Sequence, residues 1–193
     1  MAITDPKSSL RKYLQEARDA MLWKLEGLSE YDARRPLVPT GTNLLGLVKH
    51  LSGIEFAYFG ATFGRPSPEE PPFDEDDPLA DLFATPEESR EQITGLYQRA
   101  WAHSDATIEA LSLDSIGHVP HWPSPHDEVT LHMILVHVLA ETHRHAGHAD
   151  IVRELIDGNV GLLRNNSNLP DKPAWEEHWN RVETAAKQAR DGR

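Results

Sequence analysis

Glu141 and His145 stand four residues apart in a segment whose apolar residues recur with helical period. Residues at i and i+4 project from one helix face, with their heads a few ångströms apart. At that separation two ligands on one helix can grip one ion, as the two histidines of an HExxH helix do. His148 extends the row, at i+7 from Glu141. Glu141 also occupies a stripe position where the apolar period demands a hydrophobic residue, and a carboxylate buried alone is costly, so such residues are paired or bound to metal. An open site needs a third donor from another helix. His50 is the best placed, three residues after Leu47 and four before Ile54 on an inward face. Two neutral imidazoles and one carboxylate around a divalent ion leave a net charge of about +1, and three protein ligands with one position free is the arrangement of catalytic zinc.

The same residues admit other readings. A Glu-x-x-x-His pair also arises on solvated helix faces, and a His on an apolar face is commonly a hydrogen-bonded core residue. Glu141 could instead pair with a buried cation, for which Lys24 is the candidate. Eight of the eleven histidines lie between His118 and His148, and of these His132, His137 and His143 are expected to face solvent or neighbouring helices. Trp122, in a loop rich in Pro and His, is a candidate pocket wall. Trp101, Trp175 and Trp179 read as core or loop anchors. There is no Gly-rich phosphate loop, HExxH pair or G-x-S-x-G elbow.

Four long amphipathic helices position these groups. Leu10, Leu14, Ala17, Met21, Leu25 and Leu28 step by three or four, predicting a first helix from about Ser8 to Leu28. Thr42 or Asn43 is placed to cap a second, whose stripe is Leu44, Leu47, Leu51, Ile54 and Tyr58, stopping near Gly60 to Gly64. Residues Arg65 to Ala80 carry five prolines among acidic side chains, which reads as a long solvated crossover. Thr85, Pro86 and the acids after them predict the start of a third helix, running to about Leu111. A fourth spans about Thr130 to Ile156, with the stripe Ile134, Val138, Glu141, His145, His148, Val152 and Leu155. A short last helix covers Trp175 to Ala189. No strand signal of any strength appears. The pattern is an all-α antiparallel four-helix bundle, a fold that hosts metal sites in its core.

Composition narrows the function. The chain has 193 residues, about one domain (1–193), and its 19 Lys and Arg against 31 Asp and Glu give a formal charge of −12. That balance argues against nucleic acid and against anionic membranes as partners. No stretch approaches the roughly 20 apolar residues of a membrane span, and Met1 to Leu14 does not resemble a signal peptide, so a cytoplasmic protein is expected. Cysteine is absent, which removes disulfides, thiolate ligands and a protein-borne sulfur nucleophile.

The run Leu44-Leu45-Gly46-Leu47-Val48-Lys49-His50-Leu51, preceded by Thr40-Gly41-Thr42, resembles the second helix of DinB/YfiT-like proteins. Val136 to Thr142, continued by Arg144-His145-Ala146-Gly147-His148-Ala149-Asp150, resembles the ligand helix of their actinobacterial branch, and the likeness covers most of the chain. It implies a metal-binding four-helix bundle, commonly a homodimer, with a His from helix two and two ligands from a later helix. Many members use His-x-x-x-His there. Glu141 departs from that form and is similar to the Glu-x-x-x-His of the mycothiol-dependent maleylpyruvate isomerase branch. Carried over, the resemblance gives His50, Glu141 and His145 as ligands, with His148 a pocket or supporting residue. The isomerase's extra C-terminal domain has no room here, so its particular reaction is not implied.

Together these features predict a small-molecule enzyme holding zinc, with Ni, Fe and Mn also compatible with such ligands. The resemblance points to mycothiol or a related low-molecular-weight thiol, held as thiolate by the metal and attacking an electrophile. A hydrolase using metal-bound hydroxide, or a metal-binding bundle without turnover, are the alternatives.

Overall fold

The computed structural model describes residues 5–171 and 173–190, so the first four residues of the Met1 to Leu14 segment lie outside them. Helix α1 is Pro6–Trp23, with the Asp5 carboxylate accepting from the Ser8 N–H and Pro6 in the first turn. It ends earlier than its apolar stripe suggests, because the chain turns through Gly27 at φ 74° into a short helix α2, Glu30–Arg34, capped by Ser29. Asn43, rather than Thr42, caps helix α3, Leu44–Glu55, accepting from Gly46 N–H at 2.8 Å. The chain then widens into a π turn over Phe56–Gly60 and tightens into a 3₁₀ turn over Ala61–Phe63.

The crossover that follows is mostly exposed but not free of the body. Phe73 lies over the bare face of Gly53, Arg99 pairs with Glu69 at 2.7 Å, and a 3₁₀ turn at Ala80–Leu82 buries Asp81. Helix α4 is Arg90–Ala110 and starts at a Ser89–Gln92 capping box, four residues later than Thr85-Pro86 suggests. Residues 85–88 form a turn instead: Glu88 accepts from the Thr85 N–H as in half a capping box but is also held by Lys49 across the chain, whereas both bonds of the box are made at Ser89 and Gln92.

A two-stranded antiparallel ribbon, β1 (Ile116–His118) with β2 (Glu128–Thr130), precedes helix α5 and corrects the expectation of no strands. Strands of three residues are too short to carry a period. Helix α5 is Leu131–Asp157, with Thr130 as N-cap and Gly158 at φ 75° closing the other end. The last helix, α6, is Trp175–Arg190 and buries no residue, so Trp175 and Trp179 are exposed rather than core anchors.

The four long helices form the expected bundle: α3 packs against both α4 and α5, and α1 against α5. Two apolar clusters fill it. One gathers Met21, Leu45, Leu51, Tyr97 and Val152, the other Leu14, Phe59, Ile108, Val129 and Val138. Between them lies a buried polar layer in which Arg18 grips Glu55 through two bonds of 2.7 Å and Asp105 through one of 3.0 Å.

Candidate metal centre

Helices α3 and α5 bring His50, Glu141 and His145 together, one nitrogen or oxygen from each lying within 4.8 Å of the others. His145 Nε2 is 2.9 Å from Glu141 Oε1, and His50 Nε2 is 3.9 Å from the same oxygen. Three donors on one ion at bonds of about 2.1 Å would stand about 3.4 Å apart, so small side-chain rotations suffice to close on it. The three side chains are 17 %, 25 % and 12 % exposed, shielded yet open to a small ligand.

Their placement corrects one expectation. The innermost line of α5 is Val138, Thr142, Ala149 and Val152; Glu141 and His145 occupy the adjacent column, facing α3, while His148 and Leu155 are exposed. Thr142 tolerates the core because its hydroxyl donates to the Val138 carbonyl at 2.8 Å. Lys24 is not the partner of Glu141. It binds Asp150 at 2.7 Å and the Gly161 carbonyl at 2.6 Å. Among the described residues, the arginine or lysine paired with Glu141 is the exposed Arg144, 3.9 Å away.

Burial, and next the neighbouring His50, hold the His145 pKa below the usual 6.5 against the pull of Glu141. The imidazole is therefore kept neutral, the form that donates a lone pair to a metal. His148 Nδ1 lies 3.4 Å from His145 Nδ1, at the outer edge of the group.

Sequence reasoning does not single out Asp81. Its carboxylate accepts from His50 Nδ1 at 2.6 Å, and it comes from the end of a segment that reads as solvated loop. The only sequence signal is its position next to the apolar Leu79 and Leu82, which is weak.

Trp122 packs against the helix that carries Glu141 and His145. Its ring is 5.1 Å from that of His137, one turn before Glu141 on α5, and 5.9 Å from Tyr58. Tyr58 is brought there by the π turn after α3, with its hydroxyl 3.3 Å from His121 Nε2. Burial pushes the Tyr58 pKa above the ordinary tyrosine value; Trp122 opposes the shift and the charge of Glu141 reinforces it. His137, expected to face solvent or a neighbouring helix, packs its ring 4.7 Å from that of Tyr58.

No helix among the described residues is long and apolar enough to cross a membrane. Comparison with curated proteins gives no match. Among solved structures, that of a conserved protein from Enterococcus faecalis is similar, with 15% identity, a TM-score of 0.61 and coverage of 81% of this chain and 100% of that one; at such identity the likeness speaks for the fold alone. A family model described as mycothiol-S-transferase matches residues 9–158, a span that holds α1 to α5, the three clustered donors, Asp81 and Trp122 but not α6. The chain belongs to the mycothiol S-transferase family, the DinB-like branch that its second-helix and ligand-helix motifs resemble.

Proposed function

We propose that this chain transfers the sulfur of mycothiol, or a closely related small thiol, to an electrophilic small molecule, and that His50, Glu141 and His145 hold a divalent ion, zinc, for that purpose. The observation that carries the reading is the cluster itself: two imidazoles and a carboxylate from two helices, half-buried and within 4.8 Å of one another, in a chain from this family. A bound divalent ion supplies positive charge at which a thiol loses its proton near neutral pH. With no cysteine in the chain, the sulfur has to arrive on a cosubstrate. His145, kept neutral by burial, and His50 present lone pairs; Glu141 brings the one negative charge. The packed rings of Trp122, Tyr58 and His137, one turn from Glu141 on α5, would supply an apolar wall for the substrate. A reduced thiol cosubstrate suits a cytoplasmic enzyme.

The test is conjugation of mycothiol to monochlorobimane, followed by fluorescence. Zinc-loaded protein should form the adduct faster than metal-free protein, and His50→Ala should lose both the bound zinc and the rate. Conjugation no faster than the metal-free background, with zinc bound at full stoichiometry, would reject the transferase reading. Unchanged zinc stoichiometry in His50→Ala would reject the ligand assignment.

A further inference from the structure

We propose that Asp81 is a positioning residue of this centre and that one face of α3 is the dock that holds it there, so that ion binding and docking of the crossover are a single coupled equilibrium. The inference rests on the preceding reading that His50, Glu141 and His145 take an ion.

Asp81 is 6 % exposed, although Asp74, Glu75, Asp76 and Asp77 just before it all face solvent. A buried carboxylate needs a partner, and its partner here is the Nδ1–H of His50 at 2.6 Å. That bond fixes the tautomer: with the proton on Nδ1, the Nε2 lone pair points to the side where Glu141 lies. A carboxylate behind a ligating imidazole both orients the ring and raises its basicity.

The dock is built from residues that share the first two turns of α3. The Lys49 ammonium donates to the carbonyls of Ala80 at 2.9 Å and Phe83 at 3.1 Å, and the Asn43 amide donates to the Leu82 carbonyl at 3.1 Å. Gly46 lies between them. A Cβ at that position would stand 2.0 Å from the Leu82 carbonyl oxygen and 2.5 Å from its carbon, both backbone atoms. Glycine inside a helix is otherwise unfavourable relative to alanine, and here its bare face is what lets the crossover backbone reach α3. These polar contacts, which seat residues 80–83, all come from the helix that carries His50 and from its cap. A docked crossover favours the ion-ready imidazole, and by reciprocity a bound ion favours the docked crossover.

The test compares the full chain with Asp81→Asn and Gly46→Ala, neither of which alters a donor. An asparagine amide can donate to Nδ1 and so favours the opposite tautomer. Zinc affinity, measured by competition with a chromophoric chelator, should fall about 10- to 100-fold in Asp81→Asn, and Gly46→Ala should show a loss of the same order. Nitrogen NMR of the metal-free proteins should find the His50 proton on Nδ1 in the wild type and on Nε2 in Asp81→Asn. Hydrogen exchange of the amides of 79–84 should slow when zinc is added to the wild type. Helical circular dichroism identifies any variant that fails to fold, and the wild-type tautomer and exchange measurements need no variant. If both variants bind zinc as the wild type does while His50→Ala does not, the dock is refuted and the metal reading survives. If the wild type binds no zinc, both fall.

Discussion

Replacing Glu55 by glutamine preserves shape and volume but removes the charge that neutralises Arg18. Both side chains are buried, at 1 % and 0 % exposure for Arg18 and Glu55, and joined by two bonds of 2.7 Å. Burial alone would lower the pKa of the Arg18 guanidinium; the carboxylates of Glu55 and then Asp105 more than reverse that and push it up. Breaking a buried pair by removing one partner costs about 3–5 kcal/mol. Arg18 would retain Asp105 at 3.0 Å and Gln15 at 3.2 Å, which places Glu55→Gln near the lower end, about 3 kcal/mol. With a urea dependence of about 2 kcal/mol per molar, the unfolding midpoint should drop by about 1.5 M. Exchanging both partners for apolar residues of similar volume, Arg18→Met with Glu55→Leu, leaves no stranded charge and should bring stability back to within about 1 kcal/mol of the wild type. Urea titration followed by circular dichroism and tryptophan fluorescence reads all three proteins. A loss below about 1 kcal/mol for Glu55→Gln, or a double variant no more stable than Glu55→Gln, would refute the claim that this layer is held by mutual neutralisation.

Three further outcomes are expected from the geometry. Arg153 grips Asp157 through bonds of 2.8–3.1 Å and lowers its pKa from 3.8 to about 2, so its contribution is present above pH 3.8 and lost as pH falls toward 2; the stability difference between wild type and Asp157→Asn should close over that interval in urea titrations. In metal-free protein His145 should titrate below 6.5 by NMR; its contribution to stability is complete above pH 6.5 and declines as pH falls, because the unfolded chain takes up the proton first. Gly158 closes α5 at φ 75°, so Gly158→Ala should cost about 1 kcal/mol, seen as a melting temperature lower by about 2–4 °C for a chain of this size.

The donors are legible in the sequence because two of them lie on one helix, where a spacing of four fixes a shared face whatever the rest of the chain does. His50 follows from the same logic on α3. The sequence is a poorer guide to depth. The apolar period assigns Glu141 to the innermost line, yet that line contains Thr142, whose hydroxyl is satisfied by its own helix, while Glu141 stands one column aside where an imidazole from α3 can meet it. Local chemistry misplaces the start of α4 for a related reason: Thr85 and Ser89 are both competent caps, and the choice between them is made by Lys49, 39 residues from its partner Glu88. Asp81 is the hardest to foresee. Little in its neighbourhood distinguishes it from the exposed acids before it, and its burial depends on where a long proline-rich crossover comes to rest on α3. Local period determines which residues share a face; it does not determine which distant carbonyl a lysine or an asparagine on that face will capture. The residue behind His50 is set by that second kind of contact, so the His50, Glu141 and His145 cluster can be read from α3 and α5 while the carboxylate bonded to His50 emerges only once the crossover has been laid across them.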